Sequence, residues 1–153
     1  NCLEKKTSKK QLIKATLLPG ARCVLKSLKD AGIICALISN DSSSGISHFL
    51  KENNLEEYFC HFWSSENEPK KPDPLAVKSL CNEIGLSPDK CALIGDANSD
   101  LRMALQANVS LILGYISGWS KPPKLNGHQF LIHHWDDLKV LSPTSLPDNF
   151  IQT

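Results

Sequence analysis

Asp96 and Asp100 are the side chains in this sequence best placed to do chemistry. They lie in Leu93-Ile94-Gly95-Asp96-Ala97-Asn98-Ser99-Asp100, where an apolar run from Cys91 to Ile94 breaks into Gly-Asp and a second acid follows four residues on. The pattern predicts a buried strand with a carboxylate at its C-terminal tip and a helix starting just beyond. In open α/β sheets, ligands gather outside the carboxyl ends of the strands. Two acids there, among small polar neighbours, suit a hard cation such as Mg2+ and a phosphate-bearing ligand. The same residues also suit a plainer role, an Asp capping the next helix.

Two other loops carry unusual content. Ser39-Asn40 follows an apolar run, and Lys70-Lys71-Pro72-Asp73-Pro74 precedes a helical pattern. Singly, Ser39 reads as a turn hydroxyl, Asn40 as a left-handed residue and Lys71 as a solvated lysine. On one sheet edge they make a set: a hydroxyl, an ammonium and two carboxylates. Phosphoryl transfer needs such a set, because a cation and a fixed ammonium must neutralise the non-bridging oxygens while small donors orient the group. Pro72 and Pro74 stiffen the loop that aims Lys71.

The elements that position these loops follow from periodicity. Pro19-Gly20 opens a helix with Ala21, Val24, Leu25 and Leu28 at helical spacing, and Gly32 is placed to end it. Ile33 to Ile38 reads as a strand buried on both faces. A second helix carries Ile46, Phe49 and Leu50, and a short aromatic strand covers His61 to Trp63. A third helix spans Asp73 to Ile84, with Val77, Leu80, Cys81 and Ile84 as its core stripe and Gly85 as its stop. Ser87-Pro88-Asp89 caps a single turn. A fourth helix buries Leu101, Ala104 and Leu105 and ends near Asn108. Val109 to Leu113 is a strand, Gly114 to Gly127 a loop, Phe130 to Ile132 a last strand, and Trp135 to Leu141 a final helical turn or two. Strands alternating with amphipathic helices predict an α/β fold with a parallel sheet and right-handed crossovers. The lysine-rich residues 1–18 read as a remnant of a preceding helical cap or a linker, 19–141 as the α/β core, and 142–153 as a loosely held tail.

Composition excludes several classes. A net charge of +1 over 153 residues gives no sign of nucleic-acid binding, and no apolar run is long enough to span a membrane. The six scattered cysteines hold no C-x-x-C pair, which predicts reduced thiols in a cytoplasmic protein. His128, His133 and His134 keep no ligand spacing with acids or cysteines and suit a strand-to-helix junction. Trp63, Trp119 and Trp135 read as core or loop anchors.

An apolar strand ending in Ser39-Asn40, then Lys71-Pro72-Asp73-Pro74, then Gly95-Asp96-Ala97-Asn98-Ser99-Asp100, resembles motifs II, III and IV of the haloacid dehalogenase superfamily. Within it the chain is most similar to the phosphoglycolate-phosphatase-like group; Leu18-Pro19-Gly20-Ala21 also fits, and the likeness runs from about Leu17 through Leu138. The resemblance implies a Rossmann-like core and a phosphatase that works through an aspartyl-phosphate intermediate on a small phosphorylated metabolite. It implies that Ser39 and the Asn40 amide bind the phosphoryl group, that Lys71 stabilises its charge, and that Asp96 and Asp100 serve Mg2+.

Motif I of that family is an Asp-x-Asp after a strand, and it supplies the nucleophile and the general acid. The sequence contains no Asp-x-Asp; Asp136-Asp137 are adjacent. The chain starts at Asn1 and its only methionine is Met103, so a fragment of a longer parent is expected. The family's central strand, between those ending at Ser39 and Ile94, is then missing too, and the two strands either pair directly or leave a split sheet. These expectations make the parent a phosphatase and this chain alone inactive. The alternative is a nucleophile-less binding or regulatory module. The particular phosphate ester and the oligomeric state have no signature in the sequence.

Overall fold

A computed structural model describes residues 16–141. The expectations for residues 1–15 and 142–153 fall outside that span. Helix α1 (Ala21–Asp30) leads to strand β1 (Ala36–Ile38), followed by α2 (Ser43–Glu52) and β2 (His61–Trp63). Helix α3 (Pro74–Glu83), β3 (Ala92–Gly95), α4 (Asn98–Gln106), β4 (Leu111–Tyr115) and β5 (Phe130–Ile132) complete the regular elements. Single 3-10 turns occupy Glu56–Tyr58, Pro88–Lys90 and Trp135–Asp137.

Every strand pairing is parallel, as the βα alternation predicts, but the described strands form two sheets. β1 pairs with β2, and β3-β4-β5 form the other sheet. Of the two arrangements expected, direct pairing of the strands ending at Ser39 and Ile94 is not seen, and β1 and β3 each have one edge unpaired among the described residues.

Alternation along the strands sorts their side chains onto two helical layers. Ala36, Ile38 and Trp63 pack with Ala76 and Leu80 of α3, and Ile38 and Leu93 also join the cluster of Val77, Cys81, Leu101, Ala104 and Ile112. On the opposite face, Leu37 and Phe62 meet Ile46 and Leu50 of α2, while Leu113, Tyr115 and Ile132 meet Leu18 and Trp135. Helix α3 packs on β1, β2 and α4, so it spans the break between the sheets.

Several expectations are corrected. The run Ile33–Ile38 is strand only from Ala36, and Ile33 and Ile34 are 48% and 54% exposed. Ile33 is instead part of the stop of α1: its N–H bonds the Leu28 carbonyl while Gly32, at φ 73°, bonds that of Lys29. That is a Schellman closure, which takes the chain out of the helix before the strand starts. Among the described residues β1 has a neighbour on one edge alone, and its three residues are only partly buried. The final helix shrinks to the turn Trp135–Asp137, which His134 and Asp137 cap reciprocally. β4 runs two residues later than the predicted Val109–Leu113, because Asn108 (φ 63°) and Val109 close the end of α4. Leu105, assigned to the core, is 59% exposed.

The five described cysteines are free. Cys81 and Cys91 bring α3 and the start of β3 together with their sulfurs 3.8 Å apart. Burial, then the hydrogen bond to Cys91, pushes the Cys81 thiol up to about 12. The folded chain therefore holds that proton more tightly than the unfolded chain, a contribution present below the ordinary 9.0 and lost as pH rises toward 12. Iodoacetamide at pH 8 is expected to modify exposed Cys23 and Cys60 well before Cys81, as read by peptide mass mapping. Thermal midpoints should decline as pH climbs above about 9.

Candidate functional site

The C-terminal ends of β1 and β3 lead into the loops singled out by sequence. At β1, the N–H of Ser39 bonds the Trp63 carbonyl at 2.9 Å and extends the strand pairing by one rung. The Ser39 Oγ accepts from the Asp41 N–H at 3.1 Å. With a lone pair engaged, its own O–H is free to donate to a bound oxyanion. Asn40 beside it is exposed. Asp41 also accepts from the Ser42 N–H, and Ser42 caps α2 by accepting from the Gly45 N–H.

The lysine loop hangs from buried anchors. Trp63 is 4% exposed and donates its indole N–H to the Pro69 carbonyl at 2.9 Å. Buried Ser64 donates its Oγ–H to Asn67 Oδ1, so the 2.8 Å contact with Ser43 Oγ has Ser43 as donor. The Asp73 N–H closes a turn onto the Lys70 carbonyl, and the Asp73 carboxylate caps α3 through the Leu75 N–H. Asp73 is thus the cap of the third helix and Pro74 its first residue, a favoured place for proline. Lys71 comes out of this loop with its Nζ 2.9 Å from Asp100 Oδ1.

That ion pair is largely removed from water, with side-chain exposures of 18% for Lys71 and 8% for Asp100. Asp100 reaches it from the first turn of α4, packed tightly on Gly95: a Cβ at Gly95 would lie 2.7 Å from the Asp100 Cβ. Only glycine leaves that space. Asp96 is different. It is exposed, and α4 is capped by neither acid, since its N-cap position is Ala97 with no side-chain bond. The helix-cap reading of Asp96 therefore does not hold. Its carboxylate stands at the strand tip without a hydrogen-bond partner among the described residues.

The structure thus joins Lys71 to Asp100 directly and sets Asp96 four residues earlier, between β3 and α4. Ser39 and Asn40 end the other sheet and form no hydrogen bond with those three residues. Sequence reading missed Asn98, whose amide donates to the Lys124 carbonyl at 3.1 Å and accepts from the Asn126 N–H at 2.8 Å. It also missed Ser64 and Asn67 as loop anchors. The donors available for a metal are all oxygens: the unbonded Asp96 carboxylate and the second oxygen of Asp100. That chemistry fits a hard cation such as Mg2+.

Removing one member of a buried ion pair strands the other. Lys71→Met is expected to lower the unfolding free energy by about 3 kcal/mol in urea titrations, and Asp100→Asn similarly. The double variant should lose less than the sum of the two.

The sequence profile of the haloacid dehalogenase-like hydrolases matches residues 2–113. A phosphoglycolate phosphatase of Pseudomonas savastanoi pv. phaseolicola is 31% identical over 130 residues, covering 84% of this chain and 47% of that protein. The phosphoglycolate phosphatase of Pseudomonas putida is 29% identical over 127 residues, covering 82% and 46%. The chain spans about half the length of the curated relatives it matches. Among solved structures, a HAD-superfamily hydrolase of Ehrlichia chaffeensis superposes with a TM-score of 0.67 at 25% identity, covering 80% of this chain and 55% of that one. One described as a predicted phosphoglycolate phosphatase, from Haemophilus somnus, reaches a TM-score of 0.73 at 23% identity, with the same coverage. With the profile matched across most of its length, the chain belongs to the haloacid dehalogenase-like hydrolase family.

Proposed function

We propose that this chain forms the phosphoryl-binding half of a Mg2+-dependent phosphomonoester hydrolase acting on a small phosphorylated metabolite. The observation that carries the reading is the Lys71–Asp100 pair at 2.9 Å beside an exposed Asp96 that caps nothing. A dehydrated ion pair held by a buried indole and a glycine contact is a rigid charge, and rigid charge is what a transferring phosphoryl group needs. Curated relatives are named phosphoglycolate phosphatases, which supports phosphoglycolate as the first candidate to test.

In this reading the Ser39 hydroxyl and the Asn40 N–H donate to the phosphoryl oxygens. The Lys71 ammonium, oriented by Asp100, neutralises charge that builds on them. Asp96 and the second oxygen of Asp100 would hold Mg2+, which when bound would supply further positive charge for the phosphoryl oxygens. The attacking carboxylate belongs to an Asp-x-Asp that these 153 residues lack. We place it on a further strand between β1 and β3, each of which has an edge unpaired among the described residues that could take a parallel partner. Such a strand would deliver its tip between Ser39 and Asp96. Without it no aspartyl-phosphate forms, and the 153 residues alone are inactive. A second reading, a nucleophile-less binding module, draws on the same missing acid. We infer a cytoplasmic setting from the free thiols; no helix among the described residues is long and apolar enough to cross a membrane.

A protein that joins an Asp-x-Asp strand to this chain should hydrolyse p-nitrophenyl phosphate in a Mg2+-dependent way. Asp96→Asn or Lys71→Ala should each lower kcat/KM by two orders of magnitude or more, if each supplies ~3 kcal/mol of charge stabilisation. Equal rates with and without the added strand, or in both variants, would refute these roles.

A further inference from the structure

The loop between β4 and β5 leaves the sheet at the same edge as Asp96, because Gly114 is in register with Gly95. Its far half is held in place by three contacts. The Asn98 amide bonds the Lys124 carbonyl at 3.1 Å and the Asn126 N–H at 2.8 Å. Between those residues, Leu125 packs against the main core cluster and against Gly114, where an added Cβ would meet it at 3.1 Å. Asn98 is only two residues from each of Asp96 and Asp100. The main chain of Lys124 is therefore one hydrogen bond from the carboxylate loop. Pro122 and Pro123 stiffen the approach to it. The Lys124 side chain is exposed, and its ammonium has no ion-pair partner among the described residues.

We propose that Asn98 is a positioning residue that clasps Lys124 at the rim of the phosphoryl site, where the lysine receives a second anionic group of the substrate. The substrate class is a phosphate ester with a carboxylate or further anion close to the ester, and the proposal rests on the phosphatase reading above. Asn98 suits the task because its side chain offers a donor and an acceptor at once, and the loop presents one free carbonyl and one free N–H to match. An exposed ammonium on a fixed main chain loses less freedom on binding than one on a mobile loop.

The test uses the 153-residue chain, wild type, Asn98→Ala and Lys124→Ala, with Mg2+ in solution. Hydrogen exchange of the peptide covering residues 119–127 should be at least tenfold faster in Asn98→Ala and unchanged in Lys124→Ala. Calorimetric titration with 2-phosphoglycolate and with methyl phosphate should show the wild type preferring the carboxylated ester by roughly tenfold. Both variants should lose that preference while still binding methyl phosphate, which a merely unfolded site would not do. Unchanged exchange in Asn98→Ala overturns the clasp. Equal binding of the two esters by the wild type overturns the role of Lys124 and leaves the phosphoryl site standing. If the wild type binds neither ester, the phosphoryl-site reading falls and the role of Lys124 with it.

Discussion

The contact on which the rest depends is the ion pair between Lys71 and Asp100. Lys71 belongs to the loop that enters α3 from the β1–β2 sheet; Asp100 belongs to α4, which lies on β3 and β4. The pair thus ties the two sheets at their C-terminal edge, where no strand pairing joins them among the described residues. Taking two charges out of water is costly unless each finds the other at good geometry. The fold meets that demand with contacts that are individually ordinary: an indole N–H on the Pro69 carbonyl, a serine relay through Ser43, Ser64 and Asn67, and a glycine that lets Asp100 settle against β3.

A site built this way is stiff at its lysine and open at its acid. Among the described residues Asp96 neither caps a helix nor joins an ion pair, and its carboxylate stands exposed at the strand tip. Ser39 has one lone pair engaged by Asp41 and its proton uncommitted. The half-buried strands β1 and β3 tell the same story in apolar terms. Leu37, Ile38 and Leu93 pack against helices and Ile94 against the Leu113, Tyr115 and Ile132 cluster, yet all four are only partly buried, as fits strands with one edge unpaired among the described residues.

Much of this was legible in the sequence because the signals are local. Helical stripes such as Val77-Leu80-Cys81 and stops such as Gly32, Gly85 and Asn108 lie within one or two turns of what they specify. The placement of Ser39 and Asp96 just past strand ends, and of Lys71 in the loop that enters a helix, was legible from the apolar runs and breaks around them. What stayed hidden depends on partners far along the chain. Asn98 looks like one more polar residue of a helix start until Lys124 and Asn126, 26 and 28 residues on, come to lie against it. Trp63 announces burial but not that its N–H would hold the Pro69 carbonyl. Ile33 and Ile34 misled because an apolar run reads as strand whether or not a neighbouring strand exists to cover it.

The central claim is that Asp96 and Asp100 make one cation site within reach of Lys71 and of Ser39-Asn40. Its most direct test is a Mn2+ titration of the 15N-labelled chain followed by NMR. Paramagnetic broadening should appear first at Asp96 through Asp100, then at Lys71 and at Ser39-Asn40, while Gly32 and Gly85 at the opposite end of the strands stay sharp, and excess Mg2+ should reverse it. Broadening centred elsewhere, or none that Mg2+ competes away, would contradict the account.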